Sequence, residues 1–183
     1  VTGTEPGQRD IAMVFQNYAL YPHLTVEQNM GFALKLAKVP KREIAEKVAA
    51  AAETLGLTEY LKRKPKELSG GQRQRAYVAM VLCQETDYVL LDEPLNNLDI
   101  SHSVDMMRHL REAAQELGRT VIVVLHDINF AARYADYICA CKDGQIVEFG
   151  PAEEIMRDDI LTPIFNTPVR VIDGPDGKIA CYH

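Results

Sequence analysis

The spacing of apolar residues changes along the chain. In the first third, apolar side chains recur every three or four positions, the period of an amphipathic helix, and capping-box patterns begin at Thr25 and Ser69. After residue 86, short runs that are apolar at every position alternate with one long helical pattern. The predicted helices cover residues 26–37, 40–55, 70–82 and 101–117. The predicted strands cover residues 11–15, 88–91 and 120–125.

Strands that are apolar on both faces and are joined through an amphipathic helix are typical of a buried parallel sheet in an α/β fold. Further along, Asp143-Gly144 and residues 174–177 predict two hairpins. One domain is expected for 183 residues, with a helical segment inserted into the α/β core. The residues predicted to form the buried face of the helix from Ser101 are Val104, Met107, Leu110, Ala114 and Leu117.

Composition and charge disfavour several classes of protein. Twenty Lys and Arg against 26 Asp and Glu give a net charge of −6, which disfavours nucleic-acid binding because phosphate contacts need a basic face. The apolar run 121–125 is far shorter than the roughly 20 residues of a membrane span, so any membrane role is expected to be peripheral. The four cysteines include no C-x-x-C pair and lie mostly in apolar runs, which predicts buried thiols in a reducing compartment.

Two adjacent acids, Asp92 and Glu93, directly follow the apolar run 88–91. Parallel α/β sheets hold their ligands at the carboxyl ends of the strands, where this pair is predicted to lie. In a phosphate-handling site, Asp92 would hold Mg²⁺ directly or through water, and Glu93 would polarise an attacking water. The alternative from the residues alone is a solvated strand end.

A second candidate segment is Ser69-Gly70-Gly71-Gln72, at the start of the helix predicted over 70–82. The free N–H groups and the dipole at a helix N-terminus attract an anion, and glycine lets a phosphate approach the backbone closely. A cap and a turn without any ligand is the alternative.

Three single residues complete the candidates. Gln16 follows the strand 11–15, and its amide can position water or Mg²⁺. His126 follows the strand 120–125 and can hydrogen-bond a γ-phosphate, although a histidine at a strand end is often structural. Asp99 follows Glu93 closely and is either part of the same site or a turn residue.

Taken together and in this order, these segments strongly resemble the ATPases of ATP-binding-cassette (ABC) transporters. The matching segments are Gln16 (Q-loop), 68–72 (signature), 89–94 (Walker B), 98–99 (D-loop) and His126 (H-loop). The resemblance implies a P-loop NTPase fold of the ABC type, with 1–24 as a core strand and Q-loop, 25–82 as a helical subdomain, and 83–183 as the rest of the core.

The resemblance also implies a function, cofactors and partners. It implies a nucleotide-binding subunit that uses ATP and Mg²⁺, lies peripherally on the cytoplasmic face of the membrane, and works with membrane permease subunits. Its signature residues act on the nucleotide of the opposite subunit in a head-to-tail homodimer or heterodimer. The implied catalytic residues are Glu93, His126 and Gln16. Those implied for nucleotide binding are Ser69, Gly70, Gly71, Gln72 and Asp99, and those for metal are Asp92 and Gln16.

One family motif does not occur among these residues. The P-loop G-x-x-x-x-G-K-[ST] should precede the Q-loop, yet Gly-Lys occurs only at Gly177-Lys178, where Ile179 follows. The chain is therefore expected to be a truncated or chimeric cassette that binds ATP weakly and is inactive alone. The competing interpretation is a degenerate, non-catalytic cassette that docks on a permease or a partner cassette.

The two parts of the chain resemble importers of different classes. Residues 1–75 resemble cassettes of sugar and glycerol-phosphate importers, whereas 76–183 resemble those of ferric-siderophore importers. The family places a short permease helix beside the Q-loop and the inserted helices. The apolar cluster expected to contact it consists of Tyr18, Leu20, Tyr21 and Pro22.

Overall fold

A computed structural model describes residues 11–14, 20–96 and 98–182. The chain divides into two compact units, Val1–Val124 and Leu125–His183. Each unit is built around its own strands, and the candidate residues of the signature and Walker B segments belong to the first unit.

The first unit contains a three-stranded parallel sheet, as predicted. Its strands are β1 (Ile11–Val14), β2 (Tyr88–Asp92) and β3 (Thr120–Val124), in the order β1-β2-β3. Within the sheet, Val89 pairs with both Ala12 and Val121. This arrangement places the ends of β2 and β3 side by side, with Asp92 opposite Val124.

The prediction that these strands are buried on both faces is wrong for the described residues. On one face Ala12, Val89 and Leu91 are buried, because the helices of this unit pack there. On the opposite face Tyr88 is 48% exposed and Ile122 is 49% exposed. Uniform hydrophobicity along a strand indicates that both faces are suited to burial, but it does not show what covers each face.

The inserted helices agree with the sequence except at one glycine. The helices are α1 (Val26–Met30), α2 (Phe32–Leu36), α3 (Lys41–Thr54) and α4 (Gly70–Leu82), with single 3₁₀ turns at Thr58–Tyr60 and Pro65–Glu67. Gly31 interrupts the helix predicted over 26–37. A Cβ on Gly31 would lie 2.7 Å from Ile44 Cγ2, so the chain can pass α3 at this distance only with glycine.

The long helix α5 (Ile100–Leu117) connects β2 to β3, but its buried face differs from the predicted one. Val104 is 40% exposed, and Ala114 is only partly buried. Among the described side chains of α5, the buried ones are Ser103, Met106, Met107, Leu110 and Ala113, whereas the side chain of the predicted Leu117 lies outside the described part. Met107 and Leu110 belong to both the predicted and the observed face. Ser103 and Met106, which were not predicted, also have the spacing of one helix face.

The second unit consists of two hairpins and three short helices. Its elements are α6 (Ile128–Tyr134), β4 (Tyr137–Lys142), β5 (Gln145–Pro151), α7 (Ala152–Ile155), α8 (Asp158–Phe165), β6 (Val169–Gly174) and β7 (Gly177–Tyr182). The predicted hairpin turn at Asp143-Gly144 is confirmed, with φ of 50° and 76°, as a two-residue turn of this kind requires. Met156 and Leu161 lie at the centre of the core of this unit.

The cysteines do not all follow the expectation of buried thiols. Cys83 is buried, and burial raises the pKa of its thiol to about 12. Cys139 and Cys141 are exposed, because alternate positions of β4 lie on a face of the hairpin that the described residues leave open. Among the described residues, no helix is long and apolar enough to cross a membrane.

Candidate functional site

Ser69 begins α4 through a complete capping box, as predicted. Its hydroxyl oxygen accepts a hydrogen bond from the Gln72 N–H at 3.2 Å, and the Gln72 side-chain oxygen accepts one from the Ser69 N–H at 2.9 Å. The two hydrogen bonds hold the turn that carries Gly70 and Gly71 in one conformation.

The first turn of α4 is open on the side of Gly70. A Cβ on Gly70 would have no heavy atom within 4 Å, so nothing in the described part of the chain fills this space. Among the described residues, no acceptor is recorded for the N–H of Gly70 or of Gly71, and Ser69 already satisfies Gln72. Two free donors, the positive end of a 13-residue helix dipole and open space are the features that an approaching phosphate needs.

Gly71 lies against the imidazole of His102 on α5. A Cβ on Gly71 would lie 2.6 Å from Cδ2 and 3.1 Å from Cγ of that ring. The Nδ1 atom of the same ring is 2.7 Å from Asp99 Oδ1. His102 thus connects two candidate residues, Gly71 and Asp99, although neither the motif spacing nor the periodicity singled out this histidine.

Asp99 is the N-cap of α5. From the sequence, such a turn role was the alternative to a role in the same site as Glu93. Its Oδ1 accepts hydrogen bonds from the His102 N–H and the Ser101 hydroxyl, both at 2.9 Å. Hydrogen bonds from the His102 backbone, the His102 side chain and Ser101 lower the pKa of the Asp99 carboxyl to about 2. Asp99 is nevertheless exposed, so its carboxylate remains accessible.

Glu93 has an unusual backbone conformation directly after β2. Its φ is +49°, in the left-handed region that side-chain-bearing residues seldom adopt. The Asn96 side chain donates a hydrogen bond to Glu93 Oε2, and the Asn96 N–H donates to the Glu93 carbonyl at 3.2 Å. Asn96 is a site residue that sequence reasoning did not assign, and its position three residues after Glu93 was the available signal.

Asp92 is the last residue of β2 and is partly buried. No group of three or more His, Cys, Asp or Glu side chains in the described part of the chain could hold a metal. Mg²⁺ commonly binds through one or two carboxylates together with waters and substrate phosphates, and a single aspartate at a strand end fits that pattern.

Comparison with protein families identifies the family of the chain. The family model described as ABC transporter matches residues 3–96, just over half of the chain. The petrobactin import ATP-binding protein FatE of Bacillus anthracis is 52% identical, and the alignment covers 98% of this chain and 74% of FatE. The chain belongs to the ABC transporter family.

Other relatives of this ABC chain are importers of another class. The sn-glycerol-3-phosphate import ATP-binding protein UgpC of Paracoccus denitrificans is 43% identical, and the alignment covers 98% of this chain and 52% of UgpC. The chain therefore spans about half the length of UgpC and about three quarters of FatE.

Solved structures confirm the ABC cassette fold. A putative metal-chelate type ABC transporter in an inward-facing conformation superposes with a TM-score of 0.81 at 24% identity, over 94% of this chain and 71% of that one. The protein cbiO1 of Clostridium perfringens, part of the complex cbiONQ, superposes with a TM-score of 0.75 at 30% identity, over 86% of this chain and 63% of that one.

The remaining candidate residues of the ABC chain are placed less completely. His126 is an exposed residue of the second unit, and it directly precedes Asp127, the N-cap of α6. Gln16 lies outside the described residues, and so does Tyr18 of the expected permease-contacting cluster.

The expected permease-contacting cluster needs one correction. Leu20 is only 4% exposed, so it packs in the core and cannot form part of a contact surface. Tyr21 is 41% exposed, and its ring lies 4.6 Å from that of Phe32. The buried Asn29 accepts a hydrogen bond from the Tyr21 N–H and donates to the Tyr21 carbonyl, which fixes the backbone of this loop.

Proposed function

We propose that the chain forms the ATP-binding component of a bacterial ABC importer, and that its signature turn binds the γ-phosphate of ATP held by a second cassette. The observation that carries this proposal is the open first turn of α4. It combines free N–H groups at Gly70 and Gly71 with the fixed cap at Ser69, and no atom of the described residues occupies the space in front of Gly70. Gln72 supports the turn by completing the capping box.

The residues proposed for hydrolysis lie mainly at the end of β2 and directly after it. Glu93 is proposed to polarise the attacking water, with its carboxylate oriented by the amide of Asn96. Asp92, with Gln16, is proposed to hold Mg²⁺, which would neutralise charge developing on the phosphates. His126 is proposed to hydrogen-bond the γ-phosphate and Asp99 to contact the nucleotide site.

A phosphate cradle is needed as well, and the 183 residues contain no G-x-x-x-x-G-K-[ST] sequence. Removal of one preorganised donor to developing charge costs about 3 kcal/mol, and a P-loop supplies several donors and a lysine. These residues by themselves are therefore expected to bind Mg·ATP weakly and to hydrolyse it at the background rate. A P-loop from a partner cassette or from additional chain would complete the site.

The substrate class of the importer is proposed to be an iron-siderophore or a sugar. FatE is named for petrobactin import, in line with the siderophore class, and UgpC for sn-glycerol-3-phosphate import, in line with the class of sugar and glycerol-phosphate importers. The proposed partners are permease subunits and a second cassette, on the cytoplasmic face of the membrane. Tyr21 and Pro22 remain the proposed contacts to a permease helix, because both are exposed.

The experiment that tests this function places a segment with two strands and a P-loop ahead of Val1 and measures ATP hydrolysis. We refer to this protein as the extended cassette. A methyl group on Gly70 meets no atom, so Gly70→Ala should leave the free energy of unfolding unchanged or slightly raised. The same methyl should block the phosphate and lower kcat roughly 100-fold or more, the cost of removing one donor to an oxyanion.

Two outcomes would overturn the proposal. Equal hydrolysis by Gly70→Ala and wild type would show that the turn does not bind the phosphate. An extended cassette that folds but neither binds nor hydrolyses ATP would support the non-catalytic docking module instead.

A further inference from the structure

The imidazole of His102 makes contacts with two different parts of the first unit. One edge of the ring faces Gly71, whose Cβ position would lie 2.6 Å from Cδ2 and 3.2 Å from Nε2. A non-bonded Cβ cannot stay at 2.6 Å from a ring carbon, so a side chain at position 71 would force the ring to move. The present position of the ring is thus compatible only with glycine at position 71.

The other edge of the ring is held by Asp99. The Nδ1 atom lies 2.7 Å from Asp99 Oδ1, within the range of a short, charge-assisted hydrogen bond. The same oxygen accepts hydrogen bonds from the backbone N–H of His102 and the hydroxyl of Ser101. The ring position is therefore set at both edges, although 44% of its side-chain surface is exposed.

We propose that His102 is a positioning residue that couples the signature turn at Gly71 to Asp99, so that both reach the nucleotide as one unit. The effect on the nucleotide rests on the proposed function, whereas the contacts of His102 with Gly71 and Asp99 lie within this chain. No sequence motif assigns a role to His102, and 31 residues separate it from Gly71.

The coupling has a testable physical consequence because the ring cannot keep both contacts if Gly71 gains a side chain. In Gly71→Ala the new methyl must displace the imidazole, and the displaced Nδ1 loses its hydrogen bond to Asp99. Gly70 provides the matched control, since a methyl there meets no atom. If His102 merely caps its own helix, neither alanine substitution should affect Asp99.

The test is a titration of the Asp99 side-chain carboxyl by ¹³C NMR on the full chain. In wild type, hydrogen bonds lower the pKa of Asp99 to about 2 from its ordinary 3.8. In Gly71→Ala the midpoint should rise from about 2 towards 3.8, without reaching it, because the backbone and Ser101 hydrogen bonds remain. In Gly70→Ala it should stay at the wild-type value. An unchanged midpoint in Gly71→Ala, or the same rise in both variants, overturns the coupling.

A second set of measurements, the Gly71 amide resonance at neutral pH and the Asp99 titration, separates the two edges of the ring. His102→Phe keeps an aromatic ring beside Gly71 but removes the donor to Asp99, whereas His102→Asn keeps a donor close to the Nδ1 position and removes the ring. The Gly71 amide resonance should shift strongly in His102→Asn and weakly in His102→Phe, because the ring current is lost only in the former. The Asp99 midpoint should show the reverse order.

Equal effects of the two substitutions on both signals would overturn the proposal. These measurements are made without nucleotide. A failure of the proposed ATP-binding function therefore leaves them intact, and a failure of the coupling leaves the Gly70→Ala hydrolysis test intact.

Discussion

Asn96 donates a hydrogen bond from its side-chain amide to the carboxylate of Glu93, and this contact holds a residue whose backbone is left-handed. A left-handed conformation costs a residue with a side chain about 1–2 kcal/mol, so the surrounding structure must compensate for it. Such strain concentrates at functional sites, where it aims a side chain that a relaxed backbone would direct elsewhere. The geometry thus supports the role proposed for Glu93.

Strain at Glu93 should lower the free energy of unfolding, which urea unfolding measures. Glu93→Gly removes a cost of about 1–2 kcal/mol, and the extra freedom of glycine in the unfolded chain offsets about 0.5–1 kcal/mol of that gain. Measured in an Asn96→Ala background, where the hydrogen bond to Glu93 is already absent, urea unfolding should therefore show a free energy of unfolding higher by about 0.5–1 kcal/mol. Glu93→Gly should at the same time abolish hydrolysis by the extended cassette.

The matched control is Glu85→Gly, because Glu85 also has a left-handed φ, +53°, but lies just beyond α4. Its gain should be smaller, since the ion pair at 3.0 Å with the partly buried Lys47 is lost, and hydrolysis should be retained. Destabilisation by Glu93→Gly together with stabilisation by Glu85→Gly would show that the Glu93 conformation carries no strain.

The Asp99 carboxyl should make stability depend on pH at the acidic end. Its pKa is about 2 in the folded chain against an ordinary 3.8, so the ionised form is favoured by folding. Its contribution is fully present above about pH 4 and is lost as the pH falls towards 2. Asp99→Asn retains a capping side chain but does not titrate, so its unfolding free energy should fall less steeply than that of wild type between pH 4 and 2. Parallel curves would contradict the assignment.

Substitution of His102 should affect turnover more than nucleotide affinity. In the proposed function, a P-loop binds ATP in its own subunit, whereas the signature turn contacts the nucleotide only in the assembled pair. Misplacement of that turn should therefore lower kcat of the extended cassette about 10-fold in His102→Phe, with KM for ATP changed by less than about 2-fold. Arg108→Gln is the control, because Arg108 pairs with Asp105 on the exposed surface of the same helix. A rise in KM at constant kcat would argue against a positioning role.

The cysteines should differ sharply in reactivity. Cys83 is 1% exposed and its pKa is raised to about 12 by burial, so little thiolate is present at pH 8. Cys139 and Cys141 are exposed and should be alkylated first by iodoacetamide. Peptide mass spectrometry over time checks the order, and alkylation in urea should remove the difference. Equal rates for Cys83 and Cys141 in the folded chain would contradict the burial of Cys83.

Features set by local chemistry were predictable from the sequence. The capping boxes at Thr25 and Ser69 begin helices where expected, because each depends on residues only three positions apart. The hairpin turn at Asp143-Gly144 was predictable for the same reason, since its residues must adopt positive φ.

Features set by distant partners were not predictable. Gly31 separates α1 from α2, and Ile44 on another helix approaches its backbone closely. The contact between Gly71 and His102 joins two elements that no motif connects. The exposed apolar face around Ile122 also could not be foreseen, because hydrophobicity alone does not show which face neighbouring elements cover.

The central claim is that the signature turn of one cassette serves the nucleotide of another, and one mixing experiment tests it directly. Glu93→Gln should inactivate the nucleotide site formed by the P-loop of its own subunit. Gly70→Ala should inactivate the nucleotide site formed by the P-loop of the neighbouring subunit. A mixed dimer of the two extended cassettes therefore contains one complete site, although each variant alone contains none. An equal mixture should regain about a quarter of the wild-type hydrolysis rate, from one intact site in the half of the dimers that are mixed. A mixture that stays at the rate of the separate variants would contradict the account.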